Sequence, residues 1–399
     1  MKNNFISLIC TLNIALLFLL CSCETPVVSW NSSTIEKTED NFSLKVYVEN
    51  SGSMNGYMCD GSELKDAVYG YISALDSHAD TTSLFYINSK VISYKKNLQS
   101  FIRDLNPISF QQAGGSIAHS DISEMFTNIL ANMKKDDVSF FISDCILDVP
   151  NGDAMKFFHN KKIELRNAIV KGLRINENLA IEILRLESTF NGRYFYTHGS
   201  VNLNNVKRPY FIWIIGDKSK LATIKSKVPF SEIEHGYQNL FSWSTPSVVK
   251  FEICNKQGRV FNKLPLRNTE SDGKYHFFIK TNLKNTLQDS AVPCNLKYYK
   301  KHNPFLTIES VSAISENETD YTHIMDISLS AKYKPSSESI TFYAPVLPSW
   351  VEKFNDDKGL NIQSNMDKTT GIKYLIEGIS DAYKNKNELF KIQFVINRN

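Results

Sequence analysis

The alternation of apolar and polar positions gives the two halves of the chain different rhythms. "FSLKVYVE" (42–49) is a β-branched run that predicts a strand. In "SELKDAVYGYISAL" (62–75), Leu64, Ala67, Val68, Tyr71, Ile72 and Leu75 fall on a single helical stripe. Short strands follow at "TSLFYI" and "KVISY", then a helix after Ser120, a strand at "VSFFIS" and a helix from Asp153 to about Lys171. The series continues with a strand at "LAIEILRL", a strand at "PYFIWII" and a helix at "KSKLATIKSKV". Strands alternating with helices at this spacing predict a largely parallel sheet covered on both faces.

After about residue 235 the alternation stops. "SVVKFEIC", "KYHFFIKTNL", "FLTIESVSAIS", "HIMDISLSAKYK", "SITFYAPV" and "LFKIQFVINR" are β-rich runs between polar turns, which predicts an antiparallel, sandwich-like arrangement. One segment breaks the pattern. In "GIKYLIEGISDAYK" the residues Ile372, Leu375, Ile376, Ile379 and Tyr383 have helical spacing, so a helix is expected to pack on this β-rich part before the last strand. Its interior Gly378 weakens that helix on propensity alone. The expected fold class is thus α/β, a Rossmann-like sheet with helices on both faces over 42–232, followed by a β-rich domain over 236–399. A length of 399 residues, more than one core usually serves, agrees with two domains.

The N-terminus has a separate character. "MKNNFISLICTLNIALLFLLCSCETP" carries one lysine, an apolar run from about Phe5 to Leu20, and then Leu20-Cys21-Ser22-Cys23 with no cationic cluster behind it. These last four residues resemble the bacterial lipoprotein cleavage box. The resemblance implies a signal peptide over 1–22, cleavage before Cys23, lipidation of Cys23, and a protein held on the membrane of the cell envelope by its lipid anchor, at the outer membrane in a Gram-negative cell. A plain secreted protein or an N-terminal helical anchor is the other reading. Residues 23–41, polar and without a period, read as a tether.

Composition narrows the partners. With 42% hydrophobic and 22% charged residues the chain is globular, and 45 basic against 42 acidic side chains spread evenly leave no concentrated basic surface, so no nucleic-acid partner is expected. Besides Cys23, the cysteines after the expected cleavage point are Cys59, Cys145, Cys254 and Cys294. An oxidising compartment permits bridges 59 to 145 and 254 to 294, while free buried thiols fit equally.

Chemistry concentrates where the first strand ends, in "VYVENSGSM" (46–54). In an open parallel sheet, ligands bind beyond the carboxyl ends of the strands. The stretch resembles the von Willebrand factor type A (vWA) domain, whose first strand ends in Asp-x-Ser-x-Ser; Glu49, Ser51 and Ser53 occupy those places, with glutamate for aspartate. "VSFFISDCILD" resembles the family's fourth-strand Thr-Asp-Gly ending, with Asp144 in the aspartate place, Ser143 for threonine and Cys145 for glycine. Ser120, in "SDISEMF", stands for the threonine of the second loop, with Ser116 as its alternative and Asp121 as an outer partner. The resemblance covers about residues 42–230. It implies a metal-ion-dependent adhesion site holding Mg²⁺ or a similar divalent cation through Glu49, Ser51, Ser53, Ser120 and Asp144, with an open position for a carboxylate of a protein ligand. Hydroxyl and carboxylate oxygens without a thiolate or imidazole pair suit such a hard cation. The extra methylene of Glu49 moves its carboxylate outward by about 1.5 Å.

Other readings compete. Ser-Gly-Ser after a strand is often only a turn and cap. A triad of Ser51, His119 and Asp144 would make a serine hydrolase, but Gly-x-Ser-x-Gly is absent, so no enzymatic activity is expected. Tyrosines of the C-terminal half suggest a metal-independent interaction or glycan-binding surface.

Overall fold

The computed structural model describes residues 25–30 and 41–398, apart from 119, 148, 150–152, 197–198, 245–246, 269–270, 284–291, 315–319, 344–346, 361 and 384–387. The expected signal peptide over 1–22 and the lipidation site Cys23 lie outside the described residues. Among the described residues, no helix is long and apolar enough to cross a membrane. They divide into two compact units, one of 41–248 with 342–391, the other of 25–30, 249–341 and 392–398.

The second unit is β-rich. Part of the expected tether belongs to it: Pro26–Ser29 is a strand, β1, paired antiparallel with Lys263–Pro265 on one side and with the end of the strand Glu388–Arg398 on the other. Val27 and Val28 are buried there, which a solvated tether would not allow. A separate antiparallel sheet runs in the order Phe251–Cys254, Lys274–Thr281, His323–Ser330, Leu306–Ala313. Phe277 of this sheet meets Phe394 of the strand Glu388–Arg398 edge to face at 5.7 Å.

The α/β unit begins with β2 (Ser43–Glu49) and α1 (Glu63–Asp76). It continues through β3 (Thr81–Ile87), β4 (Val91–Tyr94), α2 (Leu98–Asp104), α3 (Pro107–Gln112) and α4 (Ile122–Ala131). Next come β5 (Asp137–Ser143), α5 (Ala154–Ile175), β6 (Leu179–Tyr196), β7 (Gly199–Asp217), α6 (Lys218–Lys227) and β8 (Asn239–Trp243). Two later helices, α7 (Ser349–Lys353) and α8 (Ile372–Ala382), belong to the same unit. Side chains start these helices: Ser62 caps α1, Asp121 caps α4 and Asp153 caps α5, each accepting from a backbone N–H of the first turn.

The seven-stranded sheet runs β4-β3-β2-β5-β7-β6-β8. Only the pairings of β2 with β3 and with β5 are parallel; β4–β3, β5–β7, β7–β6 and β6–β8 are antiparallel, so the expected largely parallel sheet is corrected to a mixed one. The reason lies in the connection from β6 to β7. The register closes from Leu179↔Asp217 to Tyr196↔Gly199, leaving a hairpin turn far too short for the crossover that parallel strands need.

Alternation sets the two faces. Leu44, Val46, Val48, Val138, Phe140 and Ile142 point to the side covered by α1, whose stripe residues are all buried. Tyr47, Phe141 and Trp213 point to the other side, under Phe126 of α4 and Leu165 of α5. Ile372, Leu375, Ile376 and Ile379 of α8 join this second core. The sequence-based assignment of α8 to the β-rich part is therefore corrected, and with it the boundaries 42–232 and 236–399. An amphipathic stripe states that a helix has a buried face and leaves its partner unspecified.

Candidate metal centre

The parallel register aligns Val48 with Ile142, so the next residues, Glu49 and Ser143, are neighbours at the carboxyl edge. By alternation Glu49 shares the face of Tyr47, and Ser143 that of Phe141, beside the start of α4. The Ser143 hydroxyl accordingly donates to Glu49 Oε2, and the Ser120 hydroxyl donates to Oε1 at 2.7 Å. Ser51 and Ser53 share a hydroxyl hydrogen bond of 3.0 Å. Asp144 follows Ser143; its Oδ1 accepts from the Ile146 N–H at 3.2 Å, and its own N–H points at Met54 Sδ, also 3.2 Å away.

Backbone bonds lock the three loops together. Asn50 N–H donates to Ile87 O and Gly52 N–H to Ile117 O. The Asn88 amide bridges Asn50 O at 3.2 Å and Gly114 O at 2.9 Å. Cys145 has φ +54°, a left-handed conformation that favours glycine. Its N–H donates to Ser143 Oγ at 2.7 Å, and its buried Sγ receives the Trp213 ring N–H at 3.1 Å.

Glu49 and Asp144 are both fully buried, an expensive arrangement for two carboxylates without compensation. Burial raises the Glu49 carboxyl above its ordinary range, against the pull of the Ser120, Ser143 and Ser51 hydroxyls. Burial first, and the neighbouring Glu49 charge second, push Asp144 up to about 7. The Ser53 hydroxyl, the Ile146 N–H and the charge of Arg208 oppose this. Asp144 Oδ2 is buried without a hydrogen-bond partner, as are both amide atoms of Asn50. The donor set of two carboxylates and hydroxyls, with an orphaned carboxylate oxygen, fits a hard divalent cation.

Ser51, Ser53 and Ser120 face a cavity of about 390 Å³ that also meets Ile117, Ile146, Leu147, Val149 and Phe195. Of the five expected ligands, the three serines line this cavity, and the buried Glu49 and Asp144 are joined to it through the Ser120 and Ser53 hydroxyls.

Two expectations change. Asp121, expected as an outer partner of the site, instead caps α4 through Glu124 N–H and pairs with Lys161 Nζ of α5 at 2.6 Å. Asp121→Ala is expected to cost about 1 kcal/mol of stability, read by urea denaturation, without altering any metal response. Cys59 and Cys145 are free thiols, and Cys254 is too, so neither expected bridge forms. Cys145 instead packs on Trp213. His119, the base of the hydrolase alternative, lies outside the described residues.

Sequence reading missed Ser143 as a member of the site, although strand alignment with Glu49 would have found it. Arg208 and the hairpin residue Phe195 carry no local signal; β7 and β6 bring them in.

The raised carboxyls have a pH consequence. A carboxyl whose folded value lies above its unfolded one stabilises the fold while protonated, and that contribution is lost as pH rises between the two values. Without metal, stability is expected to fall from about pH 4 to about pH 7, the window set by the ordinary value of 3.8 and the raised value of Asp144. Thermal melts in chelator check this, and a Glu49→Gln, Asp144→Asn pair should flatten the slope.

No family model matches the chain, and no curated protein or solved structure matches it either.

Proposed function

We propose that this protein is an envelope lipoprotein that binds a protein ligand through a divalent cation at the carboxyl edge of its α/β sheet. Glu49, Ser51, Ser53, Ser120 and Asp144 hold the ion, with Ser143 fixing Glu49. Bound there, Mg²⁺ neutralises the two carboxylates and offers an open position to an acidic group of the partner. The observation that carries this reading is the burial of Glu49 and Asp144 beside three hydroxyls on one cavity, with Asp144 Oδ2 left unpartnered.

The unit is read as vWA-like, with Cys145 in the left-handed conformation of the family's glycine as support. The antiparallel β7 next to β5 and Glu49 for aspartate are its departures. The β-rich unit is read as a sandwich, supported by the Phe277 and Phe394 contact between its sheets. Action is by binding and not catalysis, and the lipid on Cys23 provides membrane attachment.

Titration with Mg²⁺ and Mn²⁺ tests the centre. A rise in melting temperature and an altered Mn²⁺ paramagnetic signal are expected; neither appearing at millimolar metal would sink the proposal.

A further inference from the structure

Standard surface recognition of an acidic side chain needs only a charge at an accessible ion. Here the three hydroxyls share a cavity whose other walls are mostly apolar, with Tyr196 and Thr370 as the polar exceptions. Ile117 comes from the loop before α4, Ile146, Leu147 and Val149 from the segment after Asp144, and Phe195 from the β6–β7 hairpin. Gly52, between the two serines, lies against the same hairpin: a Cβ placed on it would stand 3.4 Å from the Phe195 ring. At about 390 Å³ the cavity falls at the lower end of the roughly 300–1,000 Å³ typical of small-ligand pockets. Asp144, which the Ser53 hydroxyl reaches, keeps its Oδ2 buried and without a hydrogen-bond partner.

We propose that the cavity takes the apolar body of a ligand whose carboxylate is held at the Ser51, Ser53 and Ser120 end. This rests on the ion site proposed above and specifies its ligand: a carboxylate directly attached to a compact aliphatic or aromatic group. The chemistry is shared by a free monocarboxylic acid and by an apolar C-terminal residue of a polypeptide. Water displaced from these walls makes affinity grow with the buried apolar surface.

Calorimetric titration of the full chain, in Mn²⁺ and again in chelator, with acetate, butanoate, hexanoate and octanoate tests it. In Mn²⁺, affinity should rise about fourfold per added methylene until the cavity is filled. Phe195→Ala, at a half-exposed position outside the core, should weaken octanoate at least about fivefold and leave acetate unchanged. In a second arm, a short peptide ending in leucine is compared with its C-terminal amide. Tight binding of the peptide acid assigns a polypeptide terminus as the source, and tight binding of the alkanoates alone assigns a free acid. Octanoate binding no tighter than acetate in Mn²⁺ overturns the proposal while leaving the ion site intact. Chain-length dependence that persists unchanged in chelator retains the cavity and overturns the ion site. Equal octanoate affinity in wild type and Phe195→Ala moves the apolar contact elsewhere and also overturns it.

Discussion

Asp144→Asn should abolish the effect of metal on stability and thereby invert the order of variant and wild type. Without a divalent cation the variant removes one of two buried, mutually repelling carboxylates, so at pH 8 it is expected to melt higher than the wild type. With Mg²⁺ the order inverts. At a metal concentration about 100 times its dissociation constant the wild type gains about 2.7 kcal/mol, and the variant, having lost an ionised ligand, gains almost none. A carboxylate needed only to hold the loops would make the variant weaker under both conditions, and that result would count against the ion. Melting curves at pH 8 in chelator and in 10-fold steps of Mg²⁺ distinguish the two. Repeating them at pH 5 adds a sign: protons compete with the ion for Glu49 and Asp144, so the wild-type response to metal should shrink.

Gly378→Ala should destabilise the α/β unit, although alanine is the better helix former by about 1 kcal/mol. A Cβ at this position would lie 2.6 Å from Lys162 O of α5, a contact with backbone that cannot move alone. Separating α8 from α5 also loosens the ion pairs of Lys162 with Glu377 at 2.9 Å and Asp381 at 3.2 Å. We expect a net loss of about 1–3 kcal/mol for alanine, and more for Gly378→Leu, in urea denaturation followed by tryptophan fluorescence. Trp213 and Trp243 lie in the same core as α8, so the signal reports on the right region. Increased stability of Gly378→Ala would mean that propensity, and not close packing, governs this helix.

Gly378 also illustrates how sequence evidence can be misread. Taken alone it weakens a helix, but in the fold it lets two helices approach within backbone contact distance. The stripe around it was legible because periodicity depends on the helix itself. The surface that it covers was not, because Phe141, Trp213 and Leu165 are more than 150 residues away in the chain. The same limit applies to β7. Its apolar run marked a strand, while its antiparallel place beside β5 follows from the long hairpin with β6, whose tip is too polar to announce itself as strand.

The sequence by itself determined what depends on near neighbours: the α1 stripe, and Glu49, Ser51 and Ser53 as a polar cluster leaving a buried strand. It also singled out Ser120 and Asp144 by their likeness to a known pattern. Tertiary structure alone decided that Glu49 and Asp144 share one water-excluded space, that Ser143 fastens Glu49, and that Phe195 and the loop after Asp144 line the cavity in front of them. Those outcomes come from strand register and hairpin return. Both sum many weak packing contacts across distant segments, and no local run of residues encodes such a sum.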